Sequence, residues 1–404
     1  MHILMVADGR SPTTQRWLAG VAALGHRITL VSTYPCPPLP DVVAMHVVPV
    51  AFAAFGGSQA GGASGRAKGG LGRQAAGRGR GSMQAARYWL GPLTLPYYAR
   101  QLDKIIKAVK PDLVHALRIP FEGMLAATSR STVPLTITIW GNDLSLHAVQ
   151  NSWMRSLTHR TLQRANGLAA DVRRDIRLGQ GWGFAAERPT LVAPGGGGID
   201  LGVMHRLKQE APPGLAADLP QGTPLVINPR GLRPGYVRTD TFFEAVPLIL
   251  QRRPEVVFAC ASMAGQAEAE DWVGRLGVGG SVRLLPFLTQ PELWGLFHQA
   301  AVTVSVSVHD GTPNTLLEAM ACGCFPVVGD LESLREWITP GINGLLVEPA
   351  KPQTLAEAVL AALEKPELRA RAADINLDLV RQRAEVGLVR SQIEIFYQRL
   401  VPNG

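Results

Sequence analysis

Residues 301–328 read AVTVSVSVHDGTPNTLLEAMACGCFPVV, a strand, a turn, a helix and a second strand in succession. From 302 to 308 valine alternates with Thr or Ser, the period of two that marks a strand. His309, Asp310, Gly311 and Thr312 make the turn. Pro313 suits a first helical position, which needs no N–H, and Thr312 is then the expected N-cap. Leu316, Leu317, Ala319 and Met320 give the helix a packed face, Gly323 ends it, and 325–328 reads as a buried strand. The unit is β-α-β, and the class it implies is α/β with a doubly wound parallel sheet.

The turn is where chemistry can sit. The first amides of a helix lack intrahelical acceptors, and with the positive end of the helix dipole they favour phosphate; here they belong to Asn314, Thr315 and Leu316. Asp310 precedes the helix and Glu318 lies roughly one and a half turns into it, so both can face one ligand. A carboxylate can accept from both hydroxyls of a vicinal diol. Taken singly, Asp310 reads as a turn cap and Glu318 as a solvated helix residue.

Asp310-Gly311, then LLEAMACG at 316–323, then PVV at 326–328 resembles the signature of the retaining glycosyltransferases of family 4, also called group 1. That signature is an acid, seven residues, a Glu and an Ala-Met-Ala-Cys-Gly-like helix end. The resemblance implies a GT-B fold, two Rossmann-like doubly wound domains facing across a cleft. It implies a retaining transfer of a hexose-type sugar from a nucleoside-diphosphate sugar to an acceptor hydroxyl on a glycan, a glycolipid or a small molecule. It also implies that Asp310 contacts donor-sugar hydroxyls at the catalytic centre, that Gly311, Thr312, Asn314 and Thr315 hold the diphosphate, and that Glu318 binds the ribose. The family's first acid is most often Glu, one methylene longer than Asp310.

Other loops extend the resemblance. Arg230 follows a strand expected at 225–229, and an arginine there can fork onto two phosphate oxygens. It resembles the family's first diphosphate clamp. The second is usually a Lys about five positions on; Gly235 stands there, so Arg233 or Arg238 would have to substitute, and Arg238 is the favoured one. Gly9, in the turn after the strand at 3–7, permits close backbone approach and resembles the family's first loop. His115, in PDLVHA, is expected at a strand's carboxyl end, where it reads equally as a catalytic cleft residue or a satisfied core histidine. TIWGNDL places Trp140 to Asp143 at the end of the next strand, and APGGGGID at 193–200 resembles the segment that leads into the family's interdomain linker.

At 404 residues the chain exceeds what one core usually holds. The expected division is an acceptor-side domain at 1–205, a nucleotide-sugar domain at 206–380, and a helix at 381–404 packing back on the first domain. A net charge of +8 favours acidic partners. Residues 56–87 hold Arg66, Lys68, Arg73, Arg78, Arg80 and Arg87 and no acid, which reads as a flexible basic loop. Its alternatives are a solvated insertion, an acceptor-site loop, a contact with anionic membrane, or a nucleic-acid contact; with few aromatics interleaved, nucleic acid is not expected.

Four irregularly placed cysteines read as reduced thiols. No Asp-x-Asp pair suggests a chelated metal, so neither metal nor cofactor is expected beyond the nucleoside-diphosphate sugar as co-substrate. No signal peptide and no spanning segment is read, so the expected location is cytoplasmic, with peripheral contact at the inner face of a membrane as an option. Two other functions stay open: a nucleotide-sugar 2-epimerase on the same fold, and a non-catalytic membrane or nucleic-acid binding protein using 56–87.

Overall fold

Near-continuous Val, Ile, Leu and Ala runs become strands buried on both faces, as a parallel sheet requires. The computed structural model describes residues 1–53, 73–210 and 222–402. Its chain forms two compact units, Met1–Gly197 with Val389–Gly404, and Gly198–Leu388.

The first unit runs β1 (His2–Ala7), α1 (Pro12–Ala22), β2 (Arg27–Ser32), β3 (Ala44–Val47), α2 (Arg73–Val109), β4 (Leu113–Leu117), α3 (Met124–Thr128), β5 (Leu135–Ile139), α4 (Ser152–Arg164), β6 (Gly167–Ala170), α5 (Arg173–Gly181) and β7 (Thr190–Val192). Its parallel sheet has the order β3-β2-β1-β4-β5-β6-β7. The order reverses between β1 and β4, so their carboxyl-end loops diverge and leave the crevice where doubly wound sheets take ligands.

The second unit runs α6 (Leu201–Glu210), β8 (Leu225–Asn228), α7 (Thr239–Arg252), β9 (Val257–Cys260), α8 (Ala267–Leu276), β10 (Val282–Leu284), α9 (Gln290–Gln299), β11 (Val302–Ser305), α10 (Asn314–Ala321), β12 (Phe325–Gly329), β13 (Leu345–Val347), α11 (Pro352–Glu364) and α12 (Pro366–Arg383). Its parallel sheet has the order β10-β9-β8-β11-β12-β13. Here the order reverses between β8 and β11, the strands that precede Arg230 and Asp310.

The chain's last helix, α13 (Val386–Leu400), joins the first unit from Val389 onward. Val389, Ile393, Phe396 and Tyr397 are buried at helical spacing against a core that includes Ile3, Met5 and Trp17.

Several boundaries differ from the expectations. The units divide at Gly197, before α6, rather than at 205, and again at Leu388 rather than near 380. The helix expected at 381–404 instead takes in the end of α12 and the whole of α13, because Ile199 pairs with the backbone between them: its N–H donates to Ala384 O (2.7 Å) and its carbonyl accepts from Val386 N–H (3.1 Å). Gly198 permits that approach, having φ of +97° and a position where a Cβ would lie 2.9 Å from Val386 Cα.

The loop expected over 56–87 lies partly outside the described residues, and from Arg73 the backbone is helical. Helix α2 even runs through Pro92 and Pro96, which would ordinarily argue for a break. Pro92 cannot donate to the carbonyl of Tyr88, and Asn151 supplies the missing donor through Nδ2 at 3.2 Å. No helix among the described residues is long and apolar enough to cross a membrane.

His115 is the clearest departure. It pairs with Met5 on one side and Thr136 on the other within the sheet, so it lies in β4 and not beyond its end. Its side chain is fully buried, with Nδ1 bonded to the Tyr397 hydroxyl (2.8 Å) and Nε2 to Thr138 Oγ1 (2.7 Å). Burial favours the neutral ring and pushes the pKa down to about 3. The catalytic assignment fails because both ring nitrogens are occupied and neither meets solvent; His115 instead ties α13 to the sheet.

A pH dependence follows. Below about pH 6.5 the unfolded chain protonates this histidine while the folded chain does not, so stability is full above that pH and falls as pH drops toward 3. The slope is up to about 1.4 kcal/mol per pH unit for one group. His115→Gln is expected to flatten the difference in melting temperature between pH 7.5 and about 5.5. An unchanged pH response in that variant excludes the histidine as its source.

Candidate active site

The polar groups around α10 are assembled from four loops of the second unit. After β8, Asn228 Oδ1 accepts the Arg230 N–H at 3.1 Å, and Gly231 turns the chain with φ of +62°. Arg230 thereby reaches the next strand's loop, where Nη2 lies 2.7 Å from Asp310 Oδ2. The pair is mostly enclosed, with side chains 12% and 15% exposed.

The strand expected at 302–308 is shorter. Val306 to Val308 leave the sheet and pair with the segment before α7, through Arg238 N–H to Val306 O (2.9 Å) and Val308 N–H to Tyr236 O (2.8 Å). Gly329 allows that departure, since a Cβ there would lie 2.7 Å from Ser307 O. Ser307 Oγ donates to Asp310 Oδ2 at 3.2 Å, and Ser333 Oγ donates to the Asp310 carbonyl at 2.8 Å.

At the head of α10 the N-cap is Pro313 and not Thr312. Thr312 Oγ1 accepts from Trp337 Nε1 (2.8 Å), so its side chain braces the turn from outside the helix. The amide of Leu316 is used locally, donating to Pro313 O at 2.9 Å, which leaves Asn314 and Thr315 to present the helix N-terminus. Thr315 Oγ1 and Arg230 Nε are buried without a hydrogen-bond partner among the described residues. A polar atom left so is one that a ligand can satisfy.

Glu318 is only 3% exposed, and Oε1 accepts from Gln290 Nε2 at 2.8 Å. A buried helix carboxylate held by a side-chain amide is not a solvated surface acid. Gln290 stands at the first position of α9, fixed by a capping box in which Glu292 accepts from the Thr289 N–H and hydroxyl, both at 2.7 Å. The sequence reading missed Gln290, Ser307, Ser333 and Trp337; only the Thr-x-x-Glu box pointed to the first of these.

The structure thus groups Arg230, Asp310, Gly311, Thr312, Asn314, Thr315 and Glu318 within one unit. Arg238 also approaches by its backbone, but its guanidinium is forked onto Asp240 (2.8 and 2.6 Å), so it is not a free second clamp. Gly9 lies in the first unit. Its N–H donates to Ser32 Oγ (3.1 Å), and a Cβ there would meet Cys36 Sγ at 2.6 Å, so packing alone already requires glycine.

The carboxyl ends of the first unit's strands carry a second polar group that the sequence reading did not assemble. The Arg10 guanidinium stacks 3.7 Å over Tyr34, Arg118 forks onto Asp143 (3.1 and 2.9 Å), and Thr33 donates to the buried Glu122 at 2.6 Å. Burial raises the Glu122 pKa, with Arg118 opposing.

Two parallel units of these orders are a GT-B fold, and solved structures agree along the whole chain. A sucrose-phosphate synthase from Thermosynechococcus elongatus superposes with a TM-score of 0.72 at 14% identity, covering 100% of both chains. HepE from Anabaena, in complex with UDP-glucose, does so with 0.70 at 17% identity, covering 98% of this chain and 99% of that one.

Residues 219–376 match the family described as Glycosyl transferases group 1, and residues 86–171 match Glycosyl transferase 4-like. Each of the two units thus contains a stretch that matches a glycosyltransferase family. A D-inositol 3-phosphate glycosyltransferase from Thermobispora bispora is 26% identical over 211 residues, 50% of this chain and 47% of that protein. The matched stretch therefore spans about half the length of that curated relative.

Proposed function

We propose that the protein is a retaining glycosyltransferase that moves a hexose-type sugar from a nucleoside-diphosphate sugar to an acceptor hydroxyl. The observation that carries this reading is the Arg230–Asp310 pair beside the head of α10, with Glu318 buried inside the same helix. A diphosphate accepts from the Asn314 and Thr315 amides and from the Thr315 hydroxyl, and Arg230 forks onto it. Glu318 accepts both hydroxyls of the ribose, with Gln290 fixing its orientation. Asp310 accepts donor-sugar hydroxyls.

In the transfer, the bond from the anomeric carbon to the phosphate oxygen breaks as that carbon bonds to the acceptor oxygen on the same face. The acceptor's proton passes to the departing phosphate oxygen. Arg230 and the α10 amides neutralise the charge that develops there, so these groups act most strongly at the transition state.

Uridine is the first base to try, because HepE, of the same fold, was solved with UDP-glucose. The curated relative's name suggests a polyol phosphate as one acceptor to include among glycans, glycolipids and small molecules. The test is thermal stabilisation by a panel of nucleoside diphosphates and their sugars, followed by product analysis with the best donor. One nucleotide is expected to raise the melting temperature, since it binds only the folded chain. Glycoside formed only with acceptor present supports transfer; a free epimer formed without acceptor identifies the epimerase instead.

A further inference from the structure

We propose that the exposed face of α2, continued by the start of α4, docks the protein on an anionic phospholipid surface. Trp89, Leu93 and Tyr97 recur every four residues on α2, and their relative exposures are 60%, 60% and 62%. Leu90 stands beside them at 50%. Four-residue spacing puts such side chains on one helical face. The contact between Asn151 Nδ2 and the Tyr88 carbonyl brings the head of α4 against this turn of α2, adding exposed Val149 and Trp153. Soluble chains expose single apolar residues routinely, but contiguous aromatic and aliphatic groups mark a contact surface.

Charge selects the occupant. The exposed charged positions further along α2 are Arg100, Lys104 and Lys107, and those along α4 include Arg155 and Arg160. The only carboxylate between residues 42 and 111, Asp103, is half-buried and accepts from Ser129 Oγ (2.5 Å) and the Arg130 N–H (2.9 Å). Residues 144–170 contain no Asp or Glu.

Tryptophan and tyrosine combine an apolar body with a polar edge and settle at the headgroup level of a bilayer. Arginine and lysine beyond them can meet lipid phosphates. The surface thus offers the two signals, apolar insertion and cationic attraction, that stable peripheral binding needs. Helix α2 is packed on its other side through Tyr88, Leu95, Ala99 and Leu102, so it can lie in the interface without unfolding.

The experiment is flotation of the whole chain with vesicles of pure phosphatidylcholine and of phosphatidylcholine with about a third phosphatidylglycerol. Binding is expected on the anionic vesicles only, weakened about tenfold or more by high salt, by Trp89→Ser with Leu93→Ser, and by Arg100→Glu with Lys104→Glu. Brominated lipid is expected to quench tryptophan fluorescence less in Trp89→Phe than in wild type. Absence of flotation, equal flotation on both vesicle types, or flotation and quenching indifferent to these substitutions overturns the proposal. So does a dimer in solution that Trp89→Ser with Leu93→Ser abolishes while vesicles stay unbound. Melting temperature and nucleotide-induced stabilisation, measured on the same variants, separate loss of the surface from loss of the fold or of the donor site.

Discussion

Glu318→Gln is expected to weaken nucleoside-diphosphate binding about ten- to a hundredfold while leaving the melting temperature of the unliganded protein nearly unchanged. The carboxylate is buried within α10 and oriented by Gln290 at 2.8 Å. A hydrogen bond to an ionised group contributes about 1.5–3 kcal/mol, against about 0.5–1.5 for a neutral pair. Glutamine preserves volume and can still accept from Gln290, but it replaces one acceptor oxygen by a donor. A diol that requires two acceptors then loses one bond and meets a like donor. Glu318→Ala removes the remaining acceptor and leaves Gln290 without this partner, so its effect on binding is larger and some stability is lost as well. Calorimetric titration with the best nucleotide from the stabilisation panel measures both. Unchanged affinity in Glu318→Gln makes the buried acid a structural partner of Gln290 and removes the ribose from its role.

Most of the architecture was legible because parallel strands buried on both faces give apolar runs that no surface pattern interrupts. The β-α-β unit around Asp310 could be read to within a few residues, and Gly323 ends its helix as expected, with φ of +82°. What escaped depends on pairing at a distance. Nothing local shows that Ile199 inserts beside Ala384 and splits the last helices, or that Asn151 takes over the Tyr88 carbonyl and lets α2 pass through two prolines. The N-cap shifted from Thr312 to Pro313 because Trp337 claims the threonine hydroxyl from a loop beyond β12.

The same limit applies to the site. Residues that project from strand ends were found by position, since that is where doubly wound sheets bind ligands. His115 misled because β4 runs two residues past it, to Leu117, and because its partner Tyr397 lies on a helix from the far end of the chain. Arg238 looked available only because Asp240, two residues on, was not weighed as its partner.

Arg230→Ala is expected to reduce turnover about a hundred- to a thousandfold, and the double substitution Arg230→Ala with Asp310→Asn is expected to bind donor no worse than Arg230→Ala alone. The 2.7 Å contact fixes both expectations. In the unliganded protein the guanidinium and the carboxylate neutralise each other in a site that is mostly closed to water. Removing only the arginine leaves Asp310 with Ser307 as its hydroxyl donor and with an uncompensated negative charge close to where a diphosphate must sit. That charge repels the ligand, so part of the affinity lost in Arg230→Ala comes from the remaining aspartate and returns when it is made neutral. Turnover does not return, because the Arg230 guanidinium no longer faces the oxygen on which negative charge accumulates as the sugar departs. Affinity and turnover therefore move apart across the four proteins of the cycle, which a merely structural ion pair would not produce. Parallel recovery of both in the double variant, or wild-type turnover in Arg230→Ala, assigns the pair to folding and moves the diphosphate clamp elsewhere.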